Sequence, residues 1–328
     1  MRTVSKTLAA IAFTIFLLPT AIFARDIFVN NITGEDRFCG GLATVTTSDG
    51  PVRTIAKALL LNLPGDRIVL ANTGQPYREC VMLQGELQSG NSIKPLALEG
   101  NGAILDGSAP VPDEAWQHVA GEVFRYRPPR MAHQQLFTNG SPIARKPLTT
   151  DGRMPELQPM EWCLYEGWIY FRGEPGKIPA QHALSFTVLQ TGITLYKVHD
   201  VVIHNLKIQG FQLDGINAND GVRNGRVVGV TSRGNGRSGV CVAAGSRLEL
   251  SRCTLEANGT AQLLLEEFPL VRVFDSVLKP DSAPAIVRHD EGLLYVDGEL
   301  LTNTARRGKN RPGISSLSSN LRWKGGRP

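Results

Sequence analysis

The sequence predicts an all-β chain folded as a right-handed parallel β-helix, a single-stranded solenoid with an N-terminal capping helix and a small β-rich inserted module. Three observations predict it. Ile216, Val240, Leu263 and Ile286 follow one another at steps of 24, 23 and 23 residues. Leu206, Val230 and Cys253 repeat the steps of 24 and 23, and Gly210 to Gly234 is again 24. Within each period, runs of three to five residues such as Val201-Val202-Ile203 and Leu206-Lys207-Ile208 meet at Asn, Gly or Asp rather than at helices. Parallel strands need a long crossover, and here the remainder of each coil supplies it. A sandwich has no reason to repeat like residues at fixed intervals, and a propeller blade needs about twice this period.

Taken in order, Arg2 and Lys6 precede an apolar run from Leu8 to Leu18, with Ala24 as a small residue at a cleavage point. Residues 1–24 read as a signal peptide, so the mature chain is expected to be secreted or periplasmic. The alternative, a membrane anchor, needs ~20 apolar residues, and this run is shorter and broken by Pro19. No membrane association is expected after cleavage. Residues 25–111 are read as a cap and the first rungs. Asp26 to Asn30 form a strand, Gly50-Pro51 opens an amphipathic helix over Thr54 to Leu60 that Pro64-Gly65 closes, and a strand follows from Arg67 to Ala71. An exposed apolar end of a solenoid requires such a cap.

Residues 112–190 lack the period and carry Trp116, Trp162 and Trp168, leaving only Trp323 elsewhere. Glu122 to Arg127, Gln135 to Thr138, Trp162 to Tyr165 and Trp168 to Phe171 read as hairpin strands, the last two around Glu166-Gly167, and so as an inserted β-module. Residues 191–301 are the repeating rungs. Their inward columns are Ile216/Val240/Leu263/Ile286 and Leu206/Val230/Cys253, stacked ~4.8 Å apart. Asn205, Gly229 and Arg252 share a bend, where Asn and Gly tolerate left-handed backbone and Arg252 departs from the pattern.

Residues 302–328 read as a basic tail, expected from composition to be a flexible, solvated extension. Of the 35 Lys and Arg, two sit in the leader and seven follow Leu301, which leaves 26 against 30 Asp and Glu. The body is mildly acidic, so the overall +5 charge gives no support to nucleic-acid binding. The five cysteines, Cys39, Cys80, Cys163, Cys241 and Cys253, lack metal-type spacing and read as small buried hydrophobes, with Cys39 and Cys80 the first pair to test for a disulfide.

Asp26 to Asn31, Gly50 to Ile55, Pro64 to Asp66 with Tyr77 to Glu79, and Leu105-Asp106-Gly107 resemble the entry and early rungs of exported pectate-lyase-like right-handed parallel β-helix proteins. Gln135 to Gly140 with Ala144-Arg145, then Glu166 to Tyr170, is similar to the β insertion of β-helix glycoside hydrolases. Gly210 to Ile216 and Gly234 to Val240 resemble typical rungs. The resemblance implies a carbohydrate-active protein. Its members include hydrolases, lyases, epimerases and non-catalytic binders, so fold alone does not choose among them.

Hydrolysis through paired carboxyl groups needs them ~5 Å apart for retention or ~6.5–9.5 Å for inversion. Counting on from Ile216 stacks Asn219, Ala243, Glu266 and His289, then Asp220, Ala244, Glu267 and Asp290. Asp214, Asp220, Glu267 and Asp290 are therefore the candidate catalytic acids, although an acid at a solenoid bend more often serves the backbone. Arg233, Arg237, Trp168, Glu266 and His289 are the candidate substrate-binding residues, with the module's aromatic faces available to sugar rings. Arg223, Arg226, Arg233 and Arg237 crowd one rung and suit the alternative of a lyase, which stabilises charge beside a uronate. The other alternative is a surface or matrix protein that only binds glycans. No organic cofactor is implied. Ca²⁺ is the one candidate ion, with Asn31, Glu35 and Asp36 as its ligands. His199-Asp200 and His289-Asp290 are neighbours in strands, expected to point to opposite faces and to be structural. No GxSxG or P-loop is present. The expected partner is a polysaccharide or oligosaccharide, bound by a monomer.

Overall fold

Three parallel sheets wrap one continuous core in the computed structural model, which describes residues 24–130 and 132–302. The apolar run from Leu8 to Leu18, read as part of a signal peptide, and the cationic C-terminal stretch with Trp323 lie outside the described residues. The largest sheet stacks Asp26–Val29, Arg67–Leu70, Leu96–Glu99, His199–His204, Arg223–Val228, Arg247–Ser251, Leu270–Phe274 and Leu293–Val296. Glu299–Leu300 then turns back antiparallel on the last of these. A second sheet stacks Val81–Gln84, Ile193–Tyr196, Asp214–Asp220, Ser238–Val242, Ala261–Leu265 and Ile286–Arg288. The third holds Ile104–Asp106, Lys207–Gln209, Thr231–Arg233, Thr254–Glu256 and Val277–Leu278.

The period becomes register. Ile193, Ile216, Val240, Leu263 and Ile286 are successive pairing partners on the second sheet, and all lie in the core. Leu206, Val230 and Cys253 form a second buried column. Their shared bend is left-handed at Asn205 (φ 51°), Gly229 (62°), Arg252 (51°), Asp275 (45°) and Asp297 (48°). Arg252 thus keeps the conformation that its residue type does not favour, at a cost of about 1 kcal/mol.

The inserted segment is spliced between adjacent coils. Val81 pairs with Ile193, Leu96 with Val201 and Ile104 with Lys207, so the solenoid resumes in register after the interruption. The interruption folds as two antiparallel sheets. One orders Ser141–Pro142, Leu136–Thr138, Leu184–Thr187 and Ser108–Pro110, and the other orders Trp162–Tyr165, Trp168–Arg172, Val123–Tyr126 and Gln117–Ala120. Glu166 (φ 49°) and Gly167 (φ 78°) make the two-residue turn that a twisted hairpin favours. Trp162, Ile169, Phe171, Leu136 and Phe186 fill its core.

The helix, α1, spans Ile55–Leu61, with the Thr54 side chain accepting from the Lys57 N–H. Ile55, Ala58 and Leu59 join the solenoid core. Cys163, Cys241 and Cys253 are buried as small hydrophobes, whereas Cys39 and Cys80 are exposed against that expectation and form no disulfide with each other, the Cys39 thiol donating to Asp49 Oδ2 at 2.8 Å. His199 and Asp200 do not diverge as strand neighbours should. Asp200 is left-handed (φ 52°), which brings its carboxylate to His199 Nδ1 at 3.0 Å, and Glu86 meets Nε2 at 2.9 Å.

Candidate functional site

Gln190, Leu213, Arg237 and Thr260 stack on the turn that enters the second sheet, the N–H of each of the last three donating to the carbonyl of the one before it. The chain returning from the module lies on this turn. An added Cβ at Gly236 would stand 2.4 Å from the carbonyl oxygens of both Gln212 and His133, so only glycine admits that approach.

Beside this junction runs a line of charge. Asp214 is fully buried, and Arg237 grips it with two donors, Nε to Oδ1 at 3.0 Å and Nη2 to Oδ2 at 2.6 Å. Ser238 Oγ donates to Oδ1 at 2.7 Å and Asn217 Nδ2 to Oδ2 at 3.1 Å. Both lone-pair regions of Asp214 are therefore taken, which makes it an anchor for Arg237. Burial alone would lower the Arg237 guanidinium, but Asp214 more than offsets it and holds it above its ordinary value. Arg237 Nη1 also reaches Glu266 Oε2 at 3.3 Å, and His289 Nδ1 meets Glu266 Oε1 at 3.1 Å. Burial, then the Asp214 charge, pushes the neighbouring Cys241 thiol far up, so it is no nucleophile.

Between module and coils opens a cleft of about 520 Å³, lined by Arg130, Ala132, His133, Arg145, Leu164, Gln190, Gln212 and Leu213. No lining residue is acidic. Arg145 lies with its guanidinium 5.4 Å from the Trp162 ring centroid. Desolvation, then the Arg237 charge, holds His133 below the ordinary imidazole range, with Asp214 offsetting part of the effect. His133 is thus a neutral imidazole at neutral pH, flanked by guanidinium groups.

The predicted residues do not all meet. Asp214, Arg237, Glu266 and His289 come together. Glu267 is exposed on a left-handed turn (φ 56°), and Asp290 accepts its backbone N–H at 2.7 Å instead of facing its carboxylate. Asp220 turns to Lys197 at 3.8 Å, because a register shift beside Asn219 carries it away from the column. Arg233 belongs to the third sheet and bonds Gln209 Oε1 and the Gly140 carbonyl. Trp168 stands in the module beneath Arg125, 4.3 Å from its ring centroid. The calcium ligands do not converge. Asp36 accepts the N–H groups of Arg53 and Thr54 and the Thr54 hydroxyl, Glu35 pairs with Arg37, and Asn31 bonds the Gln75 carbonyl. Among the described residues no group of three or more His, Cys, Asp or Glu is placed to hold a metal ion.

Sequence reasoning did not single out Arg130, His133, Arg145, Gln190 or Gln212. The period carried the missing signal for Gln190, which leads Leu213 and Arg237 by steps of 23 and 24. His133 and Arg145 come from the module, where nothing repeats.

Residues 183–319 match the family model described as a right-handed β-helix region. The chain is a right-handed parallel β-helix, as its resemblance implied for the fold. No curated protein matches the sequence. Among solved structures, the complex of XylC with xylose shares 12% identity at a TM-score of 0.41, over 83% of this chain and 69% of that one. The pectate lyase Pel9A shares 13% at 0.41, over 77% and 53%, so this chain spans about half its length. The GH136 lacto-N-biosidase from Eubacterium ramulus shares 11% at 0.39, over 77% and 43%. Overlaps this loose carry no functional argument.

Proposed function

We propose that this right-handed parallel β-helix is exported as a monomer and acts on an acidic polysaccharide in the module–coil cleft, by β-elimination. The observation that carries the reading is the lining itself: guanidinium groups, amides and one neutral imidazole, with no carboxylate. Such a surface favours an anion, and a solenoid flank suits a long linear polymer. Arg130 and Arg145 engage a uronate carboxylate, which acidifies the adjacent C5–H. His133 takes that proton, the C4–C5 double bond forms, and the C4–O bond breaks, with the departing oxygen reprotonated from water. Arg237, locked by Asp214, supplies positive potential from behind.

Hydrolysis is the second reading, and Glu266 favours it as a carboxylate beside the cleft that is not fully buried. Asp214 has no free lone pair to serve as its partner. The test is a panel of uronate-containing and neutral polysaccharides, read for unsaturated ends by ultraviolet absorbance and for reducing ends in parallel. Elimination predicts both signals on uronates, lost in His133→Ala and kept in Glu266→Gln. Reducing ends without unsaturation would establish hydrolysis, and tight binding without cleavage would establish a binder. Export predicts an extracytoplasmic protein whose N-terminus begins after residue 24.

A further inference from the structure

A second, smaller cavity of about 290 Å³ is walled by both the first coils and the insertion. Its chemistry is the reverse of the cleft's. Asp106, Asp113, Ser108 and Ser185 supply oxygen groups, Trp116 supplies an aromatic surface, and Arg78 is the only cation in the lining. Asp106 is 5% exposed and rigidly set. Its Oδ1 accepts the Ser108 N–H at 2.8 Å and its Oδ2 accepts Gln209 Nε2 at 3.0 Å. Gln209 is held in turn by Arg233, which bonds the Gly140 carbonyl of the module, so a continuous polar chain fixes this wall. Arg78 stands 4.0 Å from Asp106, which leaves Asp113 as the carboxylate without a cation in the lining. Trp116 is braced at a tilt by Tyr126 and Phe171, at 5.7 and 6.0 Å between ring centroids, and is only partly buried.

We infer that this cavity is a second saccharide subsite that takes a neutral pyranose ring. A braced indole offers an apolar face to the ring's C–H groups, while the Asp106 and Asp113 carboxylates and the serine hydroxyls accept from its hydroxyls. The volume holds about one ring, at the small end of ligand cavities. The surplus carboxylate repels a uronate, so the subsite reads neutral sugars where the larger cleft reads acidic ones. The inference does not rest on the elimination reading, since no residue is shared between the two cavities.

Full-length protein is titrated with methyl glucoside, methyl galactoside and glucuronate, by tryptophan fluorescence and by calorimetry. A neutral glycoside should bind saturably and perturb the fluorescence, and Trp116→Phe should remove that change. Asp113→Ala should weaken binding at least about tenfold, the scale of one lost hydrogen bond to a charged group, without lowering the unfolding temperature. Arg145→Ala should leave it unchanged, so the subsite survives even where cleavage in the cleft fails. No saturable neutral binding by calorimetry, equal affinity for glucuronate, or an unaltered Asp113→Ala would each overturn the inference.

Discussion

Asp214 shows how one side chain sets the stability of the site. Removing it leaves Arg237 partly buried without its anchor, and breaking such a pair costs about 3–5 kcal/mol. Asp214→Ala should therefore lower the urea midpoint sharply, while Asp214→Ala combined with Arg237→Leu should recover much of the loss, because no charge is then stranded. A double variant as unstable as the single would show that Asp214 acts on the fold independently of Arg237. His133 governs the pH response. Its ionisation lies below the ordinary imidazole value of about 6.5, so the neutral base persists into mildly acidic solution. The rate of uronate cleavage should hold through neutrality and fall only as pH drops below that value, with the acid limb absent in His133→Ala. Asp214, Arg237, Glu266 and His289 were legible because side chains one coil apart must touch. His133 and Arg145 were not, because their approach depends on how a non-repeating module docks.

At the scale of elements, the strands followed from the period and the hairpins from alternation, yet backbone irregularities moved individual acids. The shift beside Asn219 sent Asp220 toward Lys197, and left-handed residues turned His199 and Asp200 to each other. Such deviations leave little trace in residue type, as Arg252 shows. Gly236 is the element-scale determinant of the cleft, where two backbones meet. Gly236→Ala forces apart carbonyls that cannot rotate out of the way, at a cost of about 1–3 kcal/mol. The expected outcome is a raised KM for uronate and faster proteolysis between Arg127 and Gln135, with amide exchange of the Val240 and Leu263 strands unchanged. Equal exchange loss throughout the coils would mean that module docking and solenoid stability are one cooperative unit.

The whole molecule is a stack in which each coil contacts its neighbours, so its stability approximates a sum over coils and interfaces. Arg247 pairs with Leu270 and Leu263 with Ile286, each 23 residues on, so deleting 247–269 joins Ser246 to Leu270 with every later column still in phase. Ile286 then rests on Val240, and no residue of either cavity is removed. Deleting 247–268 instead leaves one residue too many between those columns. A slip of one residue sends each inward side chain to the outer face, taking Val271, Val273 and Leu294 out of the core. The first variant should keep a β-type circular dichroism spectrum, unfold cooperatively at a lower temperature and retain neutral-sugar binding. The second should aggregate or lose the cooperative transition. Equal behaviour of the two would mean that the 23-residue phase does not hold the stack together, and that burial alone, indifferent to register, stabilises the coils.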